Sequence, residues 1–261
     1  MNLYILVDLE GISGVYTKDQ VLPDASRASE GRLMMTEDVN VCVDAAKEAG
    51  VDKIYVRDCH GTSCTVIYEK LSDNADYYIC GYMGEERYIG LDDCDAVILL
   101  GYHAMAGTAG ATLEHTFNST NIQNYWLNEK KIGEAEIDAL GVGELGKPVI
   151  MVSGDNKLCE EVHAFLPDVV ACEVKRGMTW GGAMLLPKGK AHKKLAECTK
   201  EAIRRFKDIP LHSRQKPYTL RVELIERGIL PFTAGDPRVK ILDGRTYELT
   251  VDSIAELLAL M

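Results

Sequence analysis

Two carboxylates sit where an apolar segment stops: Leu3-Tyr4-Ile5-Leu6-Val7 runs into Asp8-Leu9-Glu10-Gly11. The run has the uniform apolar character of a buried parallel strand. Acids at its mouth make poor packing and good cation ligands. The arrangement recurs. Lys53-Ile54-Tyr55-Val56-Arg57 leads into Asp58-Cys59-His60-Gly61, and Ala96-Val97-Ile98-Leu99-Leu100 into Gly101-Tyr102-His103. Pro148-Val149-Ile150-Met151-Val152 ends in Ser153-Gly154-Asp155. Open α/β sheets bind ligands outside the carboxyl ends of their strands. Asp8, Glu10, Asp58, His60, His103 and Asp155 all fall at such ends. Glu134 follows a further strand and opens a helix.

Asp8, Glu10 and Glu134 with His60 and His103 form a mixed oxygen and nitrogen donor set, for which Zn2+ is the default divalent ion. Charge counting favours two ions. One Zn2+ against three carboxylates leaves a net negative site. Two leave a single positive charge, which a bridging hydroxide neutralises. Paired ions stand typically ~3.5–4 Å apart and share a ligand, and Asp8, at the tight end of the first strand, is the best candidate to bridge. Water bound to such ions has its pKa lowered to about 7, so the implied chemistry is hydrolysis of a carbonyl or phosphoryl bond. His115, after the small Gly107-Thr108-Ala109-Gly110 loop, is placed to protonate a leaving amine or steady an oxyanion. Asp58 is expected to orient a neighbour rather than ligate. Asp155 either does the same or caps the next helix. His163, His192 and His212 read as solvated. Cys59, between Asp58 and His60, reads as a filler pointing away from its neighbours, as strand alternation requires.

Positioning these groups takes alternating strands and helices, which predicts an α/β fold with a mostly parallel sheet flanked by helices. A helix is expected over 29–49, with Leu33, Met34, Val41, Cys42, Ala45 and Ala46 inward and Gly50 as its C-terminal cap. A short helix near 64–71, strands near 77–80 and 121–127, and a helix over 135–145 follow. After Pro187 the character changes. Residues 188–206 read as a basic amphipathic helix, 218–224 alternate strictly as in an antiparallel or edge strand, and short strands at 238–242 and 246–251 precede a helix at 252–260. The expected division is a catalytic α/β domain over 1–187 and a smaller α+β subdomain over 188–261, with no marked linker between them.

Of the 261 residues, 46% are hydrophobic, and 29 basic residues face 40 acidic ones for a formal charge of -11. An acidic surface argues against nucleic acid or an anionic membrane as partner. No apolar stretch approaches the ~20 residues of a membrane helix. The N-terminal run lacks a basic flank and carries Asp8 and Glu10, unlike a signal peptide. Eight scattered cysteines without a CxxC pair fit a reduced cytoplasm.

Several ordered segments resemble the DppA-type zinc D-aminopeptidases, once called dipeptide transport proteins. They are Val7-Asp8-Leu9-Glu10-Gly11-Ile12-Ser13-Gly14, Arg32-Leu33-Met34-Met35-Thr36-Glu37, Asp58-Cys59-His60, Leu99-Leu100-Gly101-Tyr102-His103-Ala104, Glu114-His115-Thr116 and Asn128-Glu129-Lys130-Lys131-Ile132-Gly133-Glu134. The order and spacing hold from residue 1 to about 155. The resemblance implies a binuclear zinc aminopeptidase for short peptides with an N-terminal D-residue, such as D-Ala-D-Ala. It implies that Asp8 bridges, that Glu10, His60, His103 and Glu134 complete the ligands, and that His115 is catalytic. The family describes that histidine as a nucleophile; a metal-activated water with His115 as acid/base partner is the simpler chemistry. The resemblance also implies a homo-oligomeric ring, a decamer, with its sites facing a chamber. Departures fall around the ligands. Gly133-Glu134-Ala135-Glu136 replaces the family's Gly-Glu-Leu-Gly, Cys59 stands for a usual Ser, and the loop after His103 reads Met105-Ala106-Gly107. Glu136 thereby adds an acid expected beside the pocket.

Two other readings compete. A Mg2+-dependent haloacid-dehalogenase-like phosphatase opens with a strand and Asp-x-Asp, which Asp8-Leu9-Glu10 approaches; Asp92-Asp93 would supply its later acids, but they precede a strand, and the histidines stay idle. A non-catalytic peptide-binding protein has little need for three carboxylates beside two histidines.

Overall fold

The computed structural model describes residues 1–84, 86–227, 230 and 235–260. Its first layer is a seven-stranded sheet: β1 (Asn2–Val7), β2 (Lys53–Asp58), β3 (Tyr77–Ile79), β4 (Ala96–Leu100), β7 (Val149–Asp155), β8 (Val170–Thr179) and β9 (Gly182–Leu185). The order is β3-β2-β1-β4-β7-β8-β9. All neighbours run parallel except β9, which returns antiparallel on β8. The uniform apolar runs follow from coverage on both faces. Leu3, Ile5 and Val7 of β1 enter one core and Tyr4 and Leu6 the other; Ile98 and Leu100 of β4 divide from Val97 and Leu99 in the same way. Helices α2 (Ala28–Glu48), with the one-turn α1 (Lys18–Val21) beside it, and α5 (Lys188–Arg205) cover the first face, and α3 (Glu134–Glu144) and α4 (Asn156–Phe165) the second. Each fully buried Leu, Ile or Val in these layers contributes about 1.5–3 kcal/mol.

A second, antiparallel sheet has the order β11-β12-β10-β5-β6, from β5 (Ile122–Leu127), β6 (Lys130–Lys131), β10 (Tyr218–Leu224), β11 (Val239–Ile241) and β12 (Thr246–Val251). Its apolar face packs on α3 and on α6 (Ile254–Ala259) through Ile137, Leu140, Ile254 and Leu257. Thus α3 lies between both sheets, and every residue from Glu134 to Val142 is buried, its apolar side chains shared between the two cores and its acids Glu134, Glu136 and Asp138 each met by a basic side chain. The second sheet draws strands from both sides of residue 187, while α5, expected in the smaller subdomain, packs on α2. The reason is its stripe of Ala191, Leu195, Thr199, Ala202 and Ile203, which complements the first core.

Local departures have simple causes. Helix α2 buries Met35, Val39, Cys42, Val43, Ala45 and Ala46; Met34 and Val41 are only half-buried, and Leu33, expected to face inward, is exposed. Between 64 and 71 only a 3-10 turn forms, at Tyr68–Lys70. Strand β10 alternates as expected but lies inside its sheet, between β12 and β5. Its alternation reflects one covered face and not an edge.

Candidate metal centre and active site

The carboxyl ends of β1, β2 and β4 converge with the N-terminus of α3. Close backbone approach makes this possible. A Cβ on Gly11 would collide with the Tyr102 carbonyl, and Gly101, at φ +72°, turns the chain where Gly11 donates to its carbonyl at 2.8 Å. Only glycine fits the first position and favours the second. Lys175, fully buried on β8, braces the same loop by donating Nζ to the carbonyls of Glu10, Ile12 and Val15 at 2.5, 2.9 and 2.6 Å. Burial pushes its amine down to about 8.

Asp8, Glu10, His103 and Glu134 are buried, and His60 nearly so. His60 Nε2 lies 3.0 Å from the Val21 carbonyl, which can only accept, so that nitrogen carries hydrogen. Its Nδ1 then faces Asp8 Oδ1 at 3.1 Å and Glu10 Oε2 at 3.2 Å. His103 does the reverse. Nδ1 donates to the Ala104 carbonyl at 3.1 Å, and Nε2 faces Asp8 Oδ2 at 3.4 Å and Glu134 Oε1 at 3.2 Å. In the neutral ring a lone pair would point at two carboxylates in each case. A cation must stand between them, either a proton or a metal. With protons alone, burial opposes the charged rings, yet the facing carboxylates win. His60 is lifted to about 12 by Glu10 and Asp8, and His103 is raised by Glu134 and Asp8. Burial likewise works against charge on Asp8 and Glu134, and the imidazoles hold both carboxyls below their ordinary range.

The donor set fits zinc. Glu10 Oε2 and His103 Nε2 are buried without a hydrogen-bond partner. Zinc bonds of about 2.0–2.1 Å in a tetrahedron set ligand atoms about 3.3 Å apart, close to the separations above. The two oxygens of Asp8 face different histidines, Oδ1 toward His60 and Oδ2 toward His103, and each histidine in turn faces a glutamate, Glu10 and Glu134 respectively. Ligand atoms of Asp8, Glu10 and His103 lie within 4.8 Å of one another, as do those of His103, His115 and Glu134. His115 stacks on His103, with ring centroids 3.9 Å apart and planes 11° from parallel. Its Nδ1 donates to the Leu113 carbonyl at 2.9 Å, leaving Nε2 3.8 Å from Glu134 Oε1. The residues singled out in the sequence are therefore assembled at one place.

Supporting residues sort as follows. Asp58 accepts from the backbone of His60, Thr65 and Val66 and so fixes the loop that presents His60. Asp155 caps α4 through Lys157 N and Leu158 N and also accepts from Thr112 N, steadying the segment before His115. Cys59 packs against the second core, and burial raises its thiol to about 12. Glu136 is engaged by Arg214 at 2.6 Å and His212 at 2.9 Å. It does not join the metal cluster, and His212 is paired rather than solvated. His192 likewise meets Asp38, at 3.3 Å. Asp92 and Asp93 lie in the turn before β4, at the edge opposite the cluster, so they cannot serve a phosphatase site there. Sequence reading passed over Lys175 and the buried Asp138, which collects Arg87, Tyr88 and Tyr102. Lys175 falls in the polar phase of the alternation in β8 and Asp138 sits among acids in α3, so neither stands out in the sequence as a buried charge.

Comparison with known proteins agrees with this geometry. The family model described as D-aminopeptidase matches residues 1–261. A D-aminopeptidase of Bacillus subtilis strain 168 is 30% identical over 250 residues, covering 94% of this chain and 89% of its own. The solved structure of the Zn-dependent D-aminopeptidase DppA from Bacillus subtilis, described as a self-compartmentalizing protease, superposes with a TM-score of 0.93 at 28% identity. That match covers 100% of this chain and 95% of the other. Among the described residues, no helix is long and apolar enough to cross a membrane.

Proposed function

This chain belongs to the D-aminopeptidase family of peptide-bond hydrolases, and from that membership we propose a binuclear zinc aminopeptidase. It acts on short peptides with an N-terminal D-residue, of the D-Ala-D-Ala kind. The observation that carries the two-ion reading is the divided carboxylate of Asp8, each oxygen facing its own histidine, with each histidine facing its own glutamate. Glu10 and His60 would hold one ion and His103 and Glu134 the other, with Asp8 available to both. Bound zinc supplies Lewis acidity and, by lowering the pKa of water to about 7, a nucleophile at neutral pH.

The chain's own residues supply the rest. Backbone carbonyls of Val21 and Ala104 fix which ring nitrogen of His60 and His103 faces inward, an arrangement that orients ligands and raises their basicity. His115 is held by Leu113 with Nε2 free toward Glu134. It is placed to take at Nε2 the proton released by the attacking water and to deliver it to the leaving amine as the C–N bond breaks. The D-preference rests on the family's name, and a ring-like homo-oligomer is proposed from the self-compartmentalizing relative. Eight free cysteines fit a reduced, cytoplasmic setting.

The test combines metal analysis with paired substrates. Purified protein is expected to hold two zinc ions per subunit, to cleave D-Ala-D-Ala at least tenfold faster than L-Ala-L-Ala, and to lose that activity in chelator. One ion per subunit, chelator-resistant turnover or an L-preference would overturn the corresponding part.

A further inference from the structure

The strand that delivers His60 carries a charge the metal centre does not use. Arg57 lies one residue from the end of β2 and is only 7% exposed. Its Nη1 donates to the carbonyls of Ile79 and Gly81 at 3.4 and 3.1 Å, while Nε is buried with no partner. Arg87, Arg214 and Arg221 each pair with a carboxylate; among the described residues Arg57 pairs with none. Glu86, exposed at the rim, does not reach it. A buried charge without a counterion is unfavourable unless something else supplies one.

Arg57 lines a cavity of about 660 Å3, in the size range of small-molecule sites. That cavity shares the walls Cys59, Gly61, Thr62, Arg87 and Phe117 with the cleft containing Asp8, Glu10, His60, His115 and Glu134. The shared Arg87 already commits Nε and Nη2 to Asp138, at 2.6 and 2.7 Å. The charge of Arg87 is thus already matched by Asp138, whereas that of Arg57 meets no carboxylate among the described residues. It stands three residues before His60, within about 10 Å of chain. A dipeptide cut at the metals has its carboxylate only a few bonds from the scissile carbonyl.

We propose that Arg57 binds the C-terminal carboxylate of the peptide substrate in this second cavity. The inference rests on the aminopeptidase reading and names the part of the substrate it leaves open. The zinc cluster then selects a free amino end and Arg57 a free acid end, which restricts the enzyme to very short peptides. Guanidinium and carboxylate meet with charge-assisted, directional hydrogen bonds.

The experiment compares D-Ala-D-Ala with D-Ala-D-Ala amide on the wild-type enzyme and on Arg57→Ala and Arg57→Lys. The wild type should favour the free acid by about 10- to 100-fold in kcat/KM, mostly through KM. Arg57→Ala should remove that preference while keeping its zinc, and Arg57→Lys should restore part of it. Equal rates for acid and amide on the wild type would overturn the inference without any variant. So would Arg57→Ala losing acid and amide activity equally, which is the signature of a brace for the 79–81 turn. Hydrolysis of neither peptide by zinc-loaded wild type would instead sink the aminopeptidase reading itself.

Discussion

His115 differs from the other two site histidines in what its free nitrogen faces. His60 and His103 each point a ring nitrogen between two carboxylate oxygens, while His115 Nε2 has one, at 3.8 Å. That looser seat suits a group that exchanges protons. His115→Ala is therefore expected to keep both zinc ions and to lower kcat about 100- to 10,000-fold. Loss of one zinc would make His115 a ligand, and unchanged turnover would leave it no role. That Asp8, Glu10, His60, His103 and Glu134 would cluster was legible in the sequence because each follows an apolar strand or opens a helix, and parallel strands must end on one edge. Arg57 and Lys175 were not. Both sit in strands beside apolar neighbours, and the letter alone does not say whether a cation is buried or snorkels to water. Nor does it say which carbonyls would receive it.

Helix α4 shows how an element shapes the site from behind. Its Glu161 accepts from Met105 N at 2.8 Å, two residues beyond His103, and a Cβ on Gly133 would crowd its Oε1. It thus braces the loop carrying His103 and packs closely against the residue before Glu134. Burial raises its carboxyl to about 7, against which the Met105 amide works. A carboxyl raised on folding gives stability that is full below its ordinary value of 4.5 and is lost as pH climbs through 7. The interval between 4.5 and 7 corresponds to about 3 kcal/mol. Glu161→Gln cannot ionise, so it should gain up to that much relative to wild type at pH 8 and nearly nothing at pH 4. Urea midpoints of the zinc-loaded proteins measure the difference, and parallel curves across that range would refute it. The long periodic helices α2, α3 and α5 were legible from their patterns, yet only Cys42, Ala45 and Ala46 of the expected inward set of α2 are fully buried. Its inner face is set by α5, a partner 140 residues away that no local pattern reveals.

The parallel sheet followed from the chain's alternation, but the second sheet's composition did not, because Ile122–Leu127 pairs with Tyr218–Leu224 across 90 residues of sequence. The β8–β9 hairpin has no counterpart in the sequence reading, and it bears on assembly. It exposes Met178, Trp180, Met184 and Leu185 together, with Met178 at 55% and Met184 at 53%. Strand β9 is also the open edge of its sheet. Exposed apolar edges are usually blunted or covered. Trp180 meanwhile lines the catalytic cleft and accepts from Leu113 N at 2.8 Å, the residue that holds His115. A second copy seated on this hairpin would cover the patch and close one side of the cleft. Light scattering of the wild type is accordingly expected to give a multiple of 28.8 kDa. Met184→Asp should shift the protein toward monomer, keep its zinc and lower turnover, since the hairpin would no longer hold the segment before His115. A wild-type monomer, or a variant that assembles and turns over normally, would remove the hairpin from the interface.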